Sequence, residues 1–132
     1  MLEPQNPVRP KVLVVDDEVD LVELISEALT DEGWEVVTAT SVAEAERSLK
    51  TMRPDLVLAD VYFREGPCWP FLASLRWLQP APIVVLMTAF AAAFDEREQA
   101  LADAVLAKPF RLSVMMALLK QLLGLTSDNA AE

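Results

Sequence analysis

Pro54-Asp55-Leu56-Val57-Leu58-Ala59-Asp60 constrains this chain more than any other stretch. It opens on a turn residue, runs apolar through four consecutive positions and stops at a carboxylate. A run without polar alternation, following a helical pattern, predicts a strand covered on both faces, as in parallel sheets. In such sheets ligands gather beyond the carboxyl ends of the strands. Asp60 falls at such an end and is the first candidate for a functional side chain.

The remainder of the chain alternates in step with that strand. Residues 1–10 read as a flexible lead with Pro4, Pro7 and Pro10. Lys11–Val15 is a buried strand ending at Asp16-Asp17-Glu18, followed by a helix with Leu21, Val22, Ile25, Ala28 and Leu29 on one stripe, closed by Gly33. Glu35–Ala39 is a second strand. Ser41 and Glu44 fit a capping box, opening a helix through Leu49 and Met52. Val61 to Pro67 reads as irregular, and Trp69 to Leu78 as a helix. Ile83–Met87 is a strand ending at Thr88, Phe90 to Ala102 an exposed helix, Ala104–Ala107 a last strand before Lys108, and Phe110 to Leu123 the final helix. Residues 125–132 read as a flexible tail or the start of a linker. About five strand–helix alternations predict one α/β domain over residues 11–124, a parallel sheet with helices on both faces. Asp16, Asp17, Asp60, Thr88 and Lys108 then meet on one rim.

Composition removes most competing chemistries. The 132 residues contain no His, which excludes His-based acid/base catalysis and His-ligated metals. The lone cysteine, Cys68, makes neither an internal disulfide nor a thiolate zinc site. Three glycines are too few and too scattered for the usual nucleotide-cradling loops. A formal charge of -10 argues against nucleic-acid binding by this domain alone, because phosphate neutralisation supplies most of that affinity. With no apolar run long enough to span a bilayer and no signal-like start, no membrane association is expected and a cytoplasmic location is the default.

Three carboxylates on one rim repel each other, and a hard divalent cation relieves this. Mg²⁺ prefers oxygen ligands and commonly combines one or two carboxylates with phosphate oxygens. Lys108 adds a fixed positive charge, and Thr88 a hydroxyl donor. Such a set suits in-line transfer to a carboxylate that is already ionised at neutral pH. Each residue also has a plainer reading alone. Asp16-Asp17 are acids at a helix N-terminus, Asp60 a strand end, Thr88 a β-branched strand residue and Lys108-Pro109 a loop.

Val12-Leu13-Val14-Val15-Asp16-Asp17-Glu18, Asp60 after its apolar strand, Thr88-Ala89 and Lys108-Pro109-Phe110 together resemble the receiver domain of two-component response regulators. The resemblance covers roughly residues 11–124 and implies a doubly wound five-stranded α/β fold of the flavodoxin-like kind. It implies that Asp60 accepts phosphoryl from a histidine kinase or phosphotransfer domain. Asp16, Asp17, Asp60 and the backbone carbonyl of Tyr62 would hold Mg²⁺, Lys108 would contact the phosphoryl group, and Thr88 would move toward it. It also implies a switch rather than a turnover enzyme, and a Lys108-Pro109 bond that is often cis.

The chain departs from that pattern in places. Val105 stands where the family commonly has an aromatic switch residue. Phe63-Arg64 replaces the common Met-Pro pair, and Cys68 replaces the usual glycine before the third helix. Tyr62 and Phe90, two positions after Asp60 and Thr88, are expected to screen the acyl phosphate from water; packing of Phe90 on the core is the competing role. On the last helix Val114, Leu118 and Leu125 widen the apolar stripe to roughly 200° of the wheel, more than a surface helix needs. An output-domain contact or a homodimer is expected there. The rival functions are a receiver-fold contact module that no longer uses phosphorylation, and a phosphohydrolase of the haloacid dehalogenase type. The latter needs an aspartate where Tyr62 stands.

Overall fold

The computed structural model describes residues 9–89 and 95–125. Five strands form a fully parallel sheet: β1 (Lys11–Val15), β2 (Glu35–Ala39), β3 (Leu56–Asp60), β6 (Ile83–Thr88) and β7 (Ala104–Ala107), in the order β2-β1-β3-β6-β7. Two short strands, β4 (Tyr62–Phe63) and β5 (Gly66–Pro67), pair antiparallel as a separate hairpin. The helices are α1 (Val19–Asp31), α2 (Val42–Ser48), α3 (Trp69–Leu75), α4 (Glu96–Gln99) and α5 (Leu112–Leu122).

Alternate residues of each strand face opposite layers, as the period of two requires. Leu13, Val15, Val57, Ala59 and Leu86 pack with Ala45, Phe71, Leu72 and Leu75 from α2 and α3. Val12, Val14, Leu56, Leu58, Val85 and Met87 pack with Ile25, Leu29, Met115 and Leu119 from α1 and α5. All five β3 residues are buried, which is why that stretch carries no polar alternation. Burying one such large apolar side chain contributes roughly 1.5–3 kcal/mol.

Gly33 closes α1 through a Schellman arrangement. Its φ of +88° lets its N–H reach Thr30 O at 2.9 Å while Trp34 N–H reaches Leu29 O at 3.2 Å. Gly124, at φ +73°, does the same for α5.

Several helices are shorter than their apolar spacing predicts. The expected helix to Met52 ends at Ser48, where three-residue turns take over (Lys50 N–H to Arg47 O and Thr51 N–H to Ser48 O, both 3.1 Å). Pro54 lies just beyond and disfavours helix before it. The helix expected to reach Leu78 ends at Leu75 in the same way, with Arg76, Trp77 and Leu78 closing on Ala73, Ser74 and Leu75. In the stretch read as a helix over residues 90–102, only Glu96–Gln99 is helical among the described residues, and it is exposed as expected. Asp95 caps it in a complete capping box with Glu98. The box expected at Ser41 is half formed. Ser41 accepts from Glu44 N–H, but the Glu44 carboxylate turns back to Thr40 N–H at 2.6 Å rather than to Ser41. The Val61–Pro67 stretch, read as irregular, contains the β4–β5 hairpin.

No helix among the described residues is long and apolar enough to cross a membrane. On α5 only Met115 and Leu119 are buried, and Val114 is 52% exposed.

Candidate functional site

In the order β2-β1-β3-β6-β7 the chain passes from β1 to β2 on one side and then to β3 on the other, so the strand order reverses between β1 and β3. This is the topological switch point where ligands bind in doubly wound folds. Asp16 and Asp17 follow β1, Asp60 ends β3, Thr88 ends β6 and Lys108 follows β7. The parallel register carries all five residues to one rim.

There the carboxylates converge. One oxygen each from Asp16, Asp17 and Asp60 lies within 4.8 Å of the others. Asp16 is fully buried, Asp60 nearly so, and Asp17 half-buried. The Lys108 ammonium donates to Asp16 Oδ2 at 2.8 Å, Glu18 Oε1 at 2.8 Å and Asp60 Oδ2 at 3.1 Å. Asp60 Oδ1 accepts from the N–H groups of Val61 at 2.7 Å and Tyr62 at 3.2 Å. Asp16 Oδ1 accepts from Glu18 N–H at 2.9 Å. The Lys108 backbone is fixed by its own N–H, which donates to Thr88 O at 2.9 Å. The Lys108-Pro109 bond is cis.

Burial pushes the Asp16 carboxyl above its ordinary range. The hydrogen bonds from Lys108 and Glu18 N–H pull it partly back, and charge on Asp60 pushes it up again. For Lys108, burial alone disfavours the ammonium. The hydrogen bonds it donates to Asp16, Glu18 and Asp60 outweigh that and hold it above the usual lysine range. The rim is open to solvent through a cleft of about 350 Å³ lined by Asp17, Asp60, Tyr62, Arg64, Thr88 and Lys108.

All five side chains singled out in the sequence therefore border one site, and Tyr62 lines its cleft. The Tyr62 ring packs edge-on against Trp69 with centroids 6.5 Å apart. Phe90 lies outside the described residues.

Three further participants went unrecognised in the sequence. Glu18 is the third carboxylate on Lys108; its signal was adjacency to Asp16-Asp17, masked by the frequency of acids at helix starts. Arg64 N–H donates to Asp17 Oδ2 at 2.9 Å. The proline common at this position in receivers has no N–H to offer, so the departure from the family pattern was itself the signal. The buried Cys68 thiol donates to Asp60 O at 3.3 Å and is pushed up to about 12 by burial, then by the Asp60 charge.

A flavodoxin-like α/β module with a buried acidic pocket at its switch point is thus defined by the fold and the rim. The chain belongs to the response regulator receiver domain family, whose pattern matches residues 12–120. It is a receiver domain of the two-component response regulators. The transcriptional regulatory protein PrrA of Mycobacterium tuberculosis is 35% identical over 130 residues, covering 93% of this chain and 55% of PrrA. The chain spans about half the length of such relatives. Response regulator TrrA of Thermotoga maritima, solved in complex with Mg²⁺ and BeF, matches with a TM-score of 0.76 at 27% identity. That match covers 86% of this chain and 98% of TrrA. The non-phosphorylated HemR receiver domain of Leptospira biflexa matches with a TM-score of 0.79 at 26% identity, over 89% and 97% of the two chains.

Proposed function

We propose that this receiver domain takes a phosphoryl group onto Asp60 from a phosphohistidine on a histidine kinase or phosphotransfer domain, and passes the signal to an output domain or partner. The observation that carries the proposal is the Lys108 ammonium 3.1 Å from Asp60 Oδ2 and 2.8 Å from Asp16 Oδ2. A cation there compensates the buried carboxylates at rest and meets the charge of a transferring phosphoryl group.

The donor set suits Mg²⁺: three carboxylate oxygens within 4.8 Å, all hard ligands, with water access through the cleft. Asp16, Asp17, Asp60 and the Tyr62 carbonyl would hold it, and it would neutralise charge on the oxygens of the transferring group. The chain's own residues do the rest. Val61 and Tyr62 N–H groups fix the Asp60 carboxylate through Oδ1. An Asp60 oxygen attacks phosphorus as the P–N bond breaks, and the leaving imidazole keeps that electron pair. Lys108 compensates the charge gathered on the phosphoryl oxygens. The Thr88 hydroxyl, at the cleft wall, moves to donate to one of them. Tyr62, which lines the cleft, limits the approach of water to the acyl phosphate. The domain works as a cytoplasmic switch without substrate turnover, and phosphorylation shifts a two-state equilibrium in its last two strand–helix units. The half-exposed apolar residues of α5, Val114 and Leu118 among them, suit contact with an output domain or a second copy.

Incubation with a small phosphodonor and Mg²⁺, followed by intact-mass analysis, tests this. One hydroxylamine-labile phosphoryl adduct is expected, dependent on the metal and absent in Asp60→Asn. An adduct that survives Asp60→Asn moves the acceptor to another residue, and none in the wild type leaves the contact-module function.

A further inference from the structure

A lysine ammonium has three N–H donors and no acceptor. In Lys108 all three are committed, to Asp16 at 2.8 Å, Glu18 at 2.8 Å and Asp60 at 3.1 Å. A phosphoryl oxygen arriving at Asp60 therefore meets a donor with no vacancy, and one partner has to give way. Asp16 is fully buried, so it cannot turn to water and stays between Lys108 and the Mg²⁺ it would hold. Asp60 is the acceptor and must stay aligned. Glu18 is different: its side chain is 61% exposed, and water takes over from Lys108 at little cost. Nor is Glu18 needed by the helix it precedes. It occupies the N-cap of α1, yet its side chain makes no capping hydrogen bond.

We propose that Glu18 is a placeholder for the phosphoryl group, occupying one Lys108 N–H in the unphosphorylated protein and surrendering it when Asp60 is phosphorylated. This rests on Asp60 being the phosphoacceptor. No covalent bond beyond that transfer is involved; one N–H···O contact is exchanged for another. The resting site thereby restrains its own affinity for phosphate-like anions. Phosphorylation also returns a carboxylate to solvent at the start of α1, beside a cleft of about 400 Å³ lined by Leu21, Pro109 and Phe110. That supplies a surface change on phosphorylation in a chain with Val105 at the usual aromatic switch position.

Calorimetric titration of the full chain with beryllofluoride, in saturating Mg²⁺ at low salt, tests the exchange. Glu18→Ala is expected to bind about fivefold more tightly than the wild type, the upper range for an exposed ion pair. Glu18→Gln, which keeps shape and acceptor but loses charge, is expected between the two. The gain should vanish at about 1 M salt, where screening is nearly complete. Glu65→Ala removes an equal charge beside Asp17 and Arg64 on the same rim and should give no comparable gain. Unchanged affinity in Glu18→Ala, or an equal gain in Glu65→Ala, overturns the placeholder role while leaving Asp60 as acceptor. Wild-type binding that is missing, or that persists in Asp60→Asn, overturns the phosphoacceptor function and the placeholder with it.

Discussion

The two ends of the sheet use the same residue type for opposite purposes. At the amino-terminal edge, Asp55 accepts from Lys11 N–H at 2.8 Å and Asp103 from Val84 N–H at 2.8 Å. Both are exposed, and each satisfies a strand-start donor; Arg76 sits 3.5 Å from Asp103. At the carboxyl rim Asp16 and Asp60 are buried beside Asp17 and share one ammonium. An aspartate that meets backbone donors in water strengthens the fold. Aspartates crowded together out of water do so at the fold's expense, and such crowding is a mark of sites built for chemistry.

Four measurements break or sharpen this contrast. The largest effect is expected in acceptor activity: Asp60→Asn should abolish phosphoryl adduct formation, and Asp55→Asn should leave it intact. Loss in both would erase the distinction between the ends. Next is the Cys68 thiol, which shares the burial of the rim. Pushed up to about 12, it should react with iodoacetamide at pH 8 about a thousandfold more slowly than the unfolded chain, because the thiolate is the nucleophile. Between the unfolded thiol value and about 12 only the unfolded state has released this proton. Stability should therefore fall as pH rises through that window, and Cys68→Ala should remove the slope.

Third, ligating carboxylates depend on the donors that orient them. Arg64→Pro, which deletes the N–H on Asp17, should weaken Mg²⁺ binding by calorimetry about tenfold; Arg64→Ala keeps the N–H and should stay within about twofold. Equal losses would move the effect to the guanidinium. Smallest are the stability changes. In metal-free buffer at neutral pH, Asp16→Asn should stabilise the fold, because burial disfavours the Asp16 carboxylate, and Asp55→Asn should destabilise it by about 1 kcal/mol. Because burial raises the Asp16 carboxyl above its unfolded value, the native state holds that proton more tightly. Wild-type stability from Asp16 should rise as pH falls through the raised value, and this slope should be missing in Asp16→Asn. Urea titrations across pH decide both signs.

The fold was legible because burial on both faces writes itself as unbroken apolar runs. Leu56–Ala59, Val12–Val15 and Val84–Met87 are buried and apolar throughout, so strand positions and their shared rim followed directly. Helix ends were less legible. Leu49 and Leu78 carry the right spacing but sit in three-residue turns, a choice made by backbone geometry near prolines rather than by hydrophobicity. At the site, Asp16, Asp17, Asp60, Thr88 and Lys108 were found from their places after strands. Glu18 and the Arg64 N–H were not. A side chain reaching back across the rim has no periodicity, and a main-chain donor has no letter in the sequence.

The three tryptophans fall in three different environments, which sets what an optical experiment on this protein reports. Trp34 is sealed at the foot of the first helix at 6% exposure, Trp77 is 84% exposed, and Trp69 lies half-buried against Tyr62 beside the cleft. Collisional quenching by iodide should silence Trp77 and spare Trp34. The emission that then still responds to cation or anion belongs to Trp69, so the unmodified chain contains its own spectroscopic label beside the acidic pocket.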